Sequence, residues 1–151
     1  MLKSLKRLFE AGADDAHALP ALERRHLQLA VAVLVHEARR ADYAEASREE
    51  TRRAQAALAE MFKLDEACSA NLLKEGHAKA QTLTSFYAPV SVVKREYSME
   101  ERITLIEHLW HIAFADGDLN PYEDHYVRKI AHLLYVPNTQ SMVARNRARG
   151  S

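Results

Sequence analysis

The sequence predicts an all-α protein: a single-domain helical bundle of about seven to eight helices, arranged as two related helix-loop-helix halves. Three observations lead there. The chain of 151 residues is 48% hydrophobic yet has only four glycines and four prolines, and Ala, Leu, Glu, Arg and Lys dominate it, which is the balance of a helix former. Long segments carry apolar residues at three- and four-residue spacing. Two short acidic stretches also superpose under one shift: Asp42 falls on Asp116 (116 − 42 = 74), and with it Ala41 on Ala115, Glu49 on Glu123 and Glu50 on Asp124. A chain of this length fits one hydrophobic core. The expected organisation is a short amphipathic helix and loop over 1–19, a helical domain over 20–147 and a disordered tail over 148–151.

At the start, Leu2, Leu5, Leu8 and Phe9 recur at helical spacing among lysines, without the continuous apolar region of a secretion signal. A polar stretch follows, and Pro20 suits the first position of a helix running to about residue 40. There Leu27, Leu29, Val31, Val33, Leu34 and Val35 cover most of the surface, which makes this helix central; Arg24, Arg25, Gln28, His36 and Arg39 form its polar remainder. Ser47 with Glu50 has capping-box spacing and opens a helix to about Phe62. Asp65 is a good N-cap for the next, carried to about Lys79 by Leu72 and Leu73. Over 81–97, Pro89 interrupts the apolar pattern, and one short helix is expected on each side of it.

Ser98 and Glu101 give a second capping-box spacing ahead of the clearest amphipathic helix. Ile103, Leu105, Ile106, Leu109, Trp110, Ile112 and Phe114 face inward, and Glu100, Glu101, Thr104, Glu107, His108 and His111 form a solvated stripe. The acidic loop 115–124 follows, then a helix from Pro121 to about Tyr135. A last helix near 140–147 ends in the basic tail of Arg145, Arg147 and Arg149, expected to be solvated.

Composition excludes several functions. The 21 basic and 21 acidic residues leave no net charge, so no global field draws nucleic acid, and none is expected as a partner. The lone Cys68 cannot form an internal disulfide and is expected as a buried free thiol in a reducing compartment. The most apolar run, 27–35, is shorter than the roughly 20 residues of a membrane span, so the chain is expected to be soluble and not itself transmembrane. No phosphate loop, nucleophile elbow or Cys-His pair is present, and Glu107-His108-Leu109-Trp110-His111 is not the zinc-protease motif. No enzymatic activity and no organic cofactor are expected.

The loop Asp116-Gly117-Asp118-Leu119-Asn120-Pro121-Tyr122-Glu123-Asp124 is where chemistry concentrates. Asn120, Pro121 and Glu123 are accounted for as N-cap, first helical residue and capping-box partner, and Asp124 favours the positive end of the helix dipole. Asp116 and Asp118 are not, because their mutual repulsion is a cost unless solvent or a cation relieves it. Oxygen-only donors suit Ca2+ or Mg2+ more than Zn2+. The candidate ligands are Asp116, Asp118 and Glu123, with Asn120 and Asp124 as auxiliaries, and Ca2+ is the ion expected. The spacing opens like an EF-hand, but Pro121 replaces the required glycine and Val127 the closing glutamate. The first loop, with Asp42, Glu49 and Glu50, is a degenerate counterpart: Ala44 stands where the second has Asp118, and Tyr43 where it has Gly117. The alternative is a structural protein-protein interaction domain whose acidic loops only cap helices and hold no metal.

The run from Ala113 through Asp124, continued by Val127-Arg128-Lys129-Ile130-Ala131 and Leu133-Leu134, resembles the C-terminal signature of the TerB-like family associated with tellurite resistance. Ser98-Met99-Glu100-Glu101-Arg102 is similar to that family's lead-in, and 37–50 sits where the family has its first acidic motif. The resemblance implies an all-helical fold of two related halves and an acidic site proposed to hold divalent cations such as Ca2+. It also implies a bacterial cytoplasmic protein of stress or tellurite-resistance type, working with membrane-bound protein partners, peripheral at the inner membrane, rather than as an enzyme.

Overall fold

A computed structural model describes residues 13–39, 48–115, 117 and 119–150, with 13–19 as backbone alone. Among the described residues there are seven helices and no strand: α1 Ala13–Ala38, α2 Arg48–Phe62, α3 Glu66–Ala80, α4 Tyr87–Glu96, α5 Met99–Ala113, α6 Pro121–Leu133 and α7 Asn138–Gly150. The amphipathic segment expected before residue 13 lies outside the described residues.

Helix α1 is the axle. Its residues Ala30 to Val35 are buried without a break, because α2, α3, α4, α5 and α6 all pack on it, as a helix apolar all round requires. It begins at Ala13, earlier than the proline suggested, and Pro20 lies inside it. The ring removes one backbone hydrogen bond, but its fixed φ is the helical value, so it does not by itself end the helix. His36, expected on the polar remainder, is wholly buried. Its Nδ1 lies 3.1 Å from the Arg39 guanidinium, and its ring meets that of His77 edge-on at 4.4 Å.

Helix α3 crosses α1 at Gly76, where a methyl group would sit 2.7 Å from the backbone of Ala32. Asp65 caps α3 as its sequence indicated, accepting from the Cys68 amide at 2.7 Å. Cys68 itself is exposed, contrary to the buried thiol expected, because the first turn of α3 points its side chain outward. Helix α4 is one helix, not two: Pro89 occupies its first turn, where amide hydrogens have no intrahelical acceptor and a proline removes nothing.

Helix α5 opens on the expected capping box, with Glu101 N–H donating to Ser98 Oγ and Ser98 N–H to Glu101 Oε1 at 2.9 Å. Arg102 then ties three chain ends together. Its guanidinium donates to the carbonyls of Lys94 at 2.7 Å, Tyr97 at 3.1 Å and Leu134 at 3.2 Å. Helix α7 is longer than expected, from Asn138 to Gly150. Residues 148–150 are helix rather than tail, and Ala144 and Ala148 are buried; Trp110 Nε1 donates to Ser141 Oγ at 3.4 Å. A single contiguous core joins all of this.

The two halves are α1–α2 and α5–α6. Their second helices end in the same way. Both end in a residue with positive φ, Lys63 and Tyr135, and the next amide bonds back to a carbonyl five residues earlier, Leu64 to Ala59 at 3.0 Å and Val136 to Ala131 at 2.9 Å. This is the Schellman turn. The two ends are 72 apart (135 − 63 = 72), two fewer than the shift that superposes the acidic stretches, so the first copy has two more residues than the second between its acidic stretch and the end of its second helix.

Candidate functional site: the acidic helix starts

The chain leaves α5 through hydrogen bonds of Ala115 N–H to Ile112 O at 3.1 Å and of Gly117 N–H to Phe114 O at 3.0 Å. Gly117 has φ +91°, a value that favours glycine, so the turn carrying the two aspartates is written into that residue. Asp116 and Asp118 themselves lie outside the described residues, as does Asp42. Beyond them Asn120 caps α6, its Oδ1 accepting from the Tyr122 amide at 2.7 Å, with Pro121 at the first helical position.

Glu123 follows in the first turn and is buried, with 9% of its surface exposed; Glu50 in α2 is 8% exposed. Each half thus places one buried carboxylate in its second helix. Asp124 is held differently. Arg128, one turn on, donates to its Oδ2 at 2.8 Å, and Arg145 from α7 approaches its Oδ1 at 3.4 Å. The Arg145 guanidinium also lies over Trp110 and Phe114, at 5.7 and 5.9 Å from their ring centroids. Arg145, expected in a solvated tail, is therefore part of the packing around the loop, and Arg147 reaches Glu107 at 3.8 Å. Sequence reasoning missed this clamp because its partners lie on different helices; the four-residue spacing of Asp124 and Arg128 was its one local sign.

In the first half, Glu49 is paired with Arg52 at 2.8 Å and Arg53 at 3.5 Å. The Arg52 hydrogen bond holds its carboxyl below the usual range. The structure thus spreads Glu49 and Glu50 over two environments, one an arginine pair at the surface and one buried. Among the described residues no group of three or more His, Cys, Asp or Glu side chains converges to hold a metal.

Each half is braced to the other by a side chain of its second helix. Tyr126 of α6 donates its hydroxyl to Leu34 O of α1 at 2.7 Å, and Arg53 of α2 donates to His111 O of α5 at 2.8 Å. Burial, reinforced by Glu37, pushes the Tyr126 hydroxyl well above its ordinary pKa.

His108 and His111 do not form the open stripe expected. They line a cleft of about 440 Å3 between α2 and α5 with Arg53, Glu60, Thr104 and Glu107, and burial lowers the His108 pKa against the opposing pull of Glu60 and Glu107.

An all-helical bundle of two braced halves, each with a buried glutamate in its second helix after an acidic loop, defines a class of helical domain. The family described as Tellurite resistance protein TerB matches residues 28–146, and the chain belongs to that family. No curated protein matches it, and no solved structure does. Among the described residues no helix is long and apolar enough to cross a membrane.

Proposed function

We propose that the protein is a non-enzymatic module that holds a divalent cation on the 115–124 loop and docks to a protein partner in a bacterial stress or tellurite-resistance type system. The observation that carries the reading is Glu123: a carboxylate buried in the first turn after the loop, on a helix braced through Tyr126 to the centre of the core. All candidate donors are oxygens, which fits a hard ion, Ca2+ before Mg2+ and either before Zn2+. Asp116, Asp118 and Glu123 are the ligands in this reading. Asn120 serves the helix cap, and Asp124, occupied by Arg128 and Arg145, anchors α7 and shields the site. The first loop, with Asp42, Glu49 and Glu50, holds no ion of comparable affinity, since Glu49 is taken by arginines and Ala44 supplies no oxygen. The setting is cytoplasmic, with a membrane-bound partner.

Calorimetric titration of Ca2+, Mg2+ and Zn2+ into the metal-free protein tests this. Saturable Ca2+ binding that disappears in Asp116→Ala is expected; binding no tighter than about 1 mM, or indifferent to the substitution, sinks the proposal. The alternative, an interaction domain whose acidic loops only cap helices, is favoured by the capping role of Asn120 and the pairing of Asp124. Partner capture with and without chelator separates the two, because the alternative requires capture to be indifferent to metal.

A further inference from the structure

A second site lies on the face formed by α4 and α6, away from the acidic loop. The turn 84–86 and the two helices enclose a cleft of about 360 Å3 lined by Thr84, Ser85, Phe86, Tyr87, Val90, Ser91, Lys94, Lys129 and Leu133. Its chemistry divides cleanly. Phe86, Val90 and Leu133 make an apolar floor, and Tyr87 stands at the rim with 77% of its surface exposed. Two ammonium groups and four hydroxyls, that of Tyr87 included, supply the polar edge, and no carboxylate lines the cleft among the described residues.

The lysines are placed by aromatic rings rather than by counter-ions. Lys94 Nζ lies 4.6 Å from the Tyr135 ring centroid and Lys129 Nζ 6.0 Å from that of Phe86. Neither is part of any ion pair between described residues, whereas Arg25, Arg52, Arg53, Arg95, Arg128, Arg145 and Arg147 all are. A cation over a ring face keeps its N–H groups available to an acceptor. Glu37 lines an adjoining cleft with Ala80 and Leu83, which shares Thr84, Ser85 and Phe86 with this one. The first amide of α4, Tyr87 N–H, donates to Ser85 Oγ at 3.4 Å, and Lys94 lies in the last turn of the same helix.

The geometry points to a binding site for a small amphiphilic anion, one carboxylate or phosphate group carried on an apolar body, with Lys94 and Lys129 on the charge and Phe86, Val90 and Leu133 on the body. The volume suits a single ring system or a short acyl chain. Both sources share this chemistry, and two ligands distinguish them: 1-naphthyl phosphate for a flat body and decanoate for a chain.

The test is a 15N NMR titration of the full chain with each ligand, with inorganic phosphate and uncharged 1-naphthylmethanol as comparisons. Saturable shifts are expected at amides of 84–91 and of Lys129 for at least one amphiphile, with the comparison compounds binding about tenfold or more weakly. Lys94→Gln and Lys129→Gln should each weaken the amphiphile, and Lys74→Gln on α3 should not. Both amphiphiles failing to saturate, equal binding of the uncharged alcohol, shifts centred elsewhere, or affinity unchanged in both cleft variants would each overturn the assignment. The comparison of charged and uncharged compounds on the unaltered protein stands even if a variant misfolds.

Discussion

The hydroxyl of Tyr126 and the missing side chain of Gly76 show how much of this fold rests on single atoms. Tyr126→Phe removes a buried 2.7 Å hydrogen bond to Leu34 O and should cost about 1 kcal/mol in urea unfolding; an unchanged midpoint would mean that the brace is dispensable. Gly76 is a sharper case. In an exposed helix, replacing glycine by alanine gains roughly 1 kcal/mol from propensity. Here the added methyl would meet the Ala32 backbone at 2.7 Å, so Gly76→Ala should destabilise by about 1–3 kcal/mol. A stabilised variant would contradict the close crossing of α1 and α3. Neither feature was legible in the sequence, since a glycine in a helical pattern and a tyrosine on an apolar face look ordinary until the partner helix is known. Asn120 was legible, because capping is a need of the local backbone.

Helix starts followed the sequence where the signal was local, and departed from it where a neighbour decided. Ser98 and Glu101 formed their capping box, and Asp65 its cap. Pro89, read as a break, fits the first turn of α4, and the supposed tail became the end of α7 because Ala144 and Ala148 bury against α5. Helix ends carry a prediction of their own. Lys63 closes α2 with φ 54°, a conformation costly for any residue with a side chain, so Lys63→Gly should raise stability by about 0.5–1 kcal/mol in thermal unfolding. A loss would show that its side chain holds something more. The α2–α5 cleft supplies a pH dependence. His108 has its pKa lowered from 6.5 by burial, so above 6.5 both folded and unfolded forms are neutral there and its contribution is complete. As pH falls below 6.5 the unfolded chain takes up the proton first, and stability drops until the folded pKa is passed. His108→Gln should flatten that slope; an identical pH profile would place the proton uptake elsewhere.

At the scale of the molecule, the duplication seen in the acidic loops extends to paired Schellman turns and paired braces, each half donating a side chain to the first helix of the other. The sequence revealed the repeat through its carboxylates but not its turns and braces, because those depend on helix ends and on partner helices. The TerB family assignment accounts for the shared plan; the asymmetry belongs to this chain. One loop has Gly117 and two aspartates and leads to a buried glutamate, whereas the other has Tyr43 and Ala44 and leads to an arginine-paired surface glutamate beside a buried one. In the proposed function only the second loop holds an ion, and a residue-resolved NMR titration of the metal-free protein with Ca2+ shows whether it does. Saturable shifts of the Gly117, Asn120 and Glu123 amides are expected, with those of Arg48 to Thr51 nearly still. Saturation centred on the first loop, or no saturable change at Gly117 and Glu123, would contradict it.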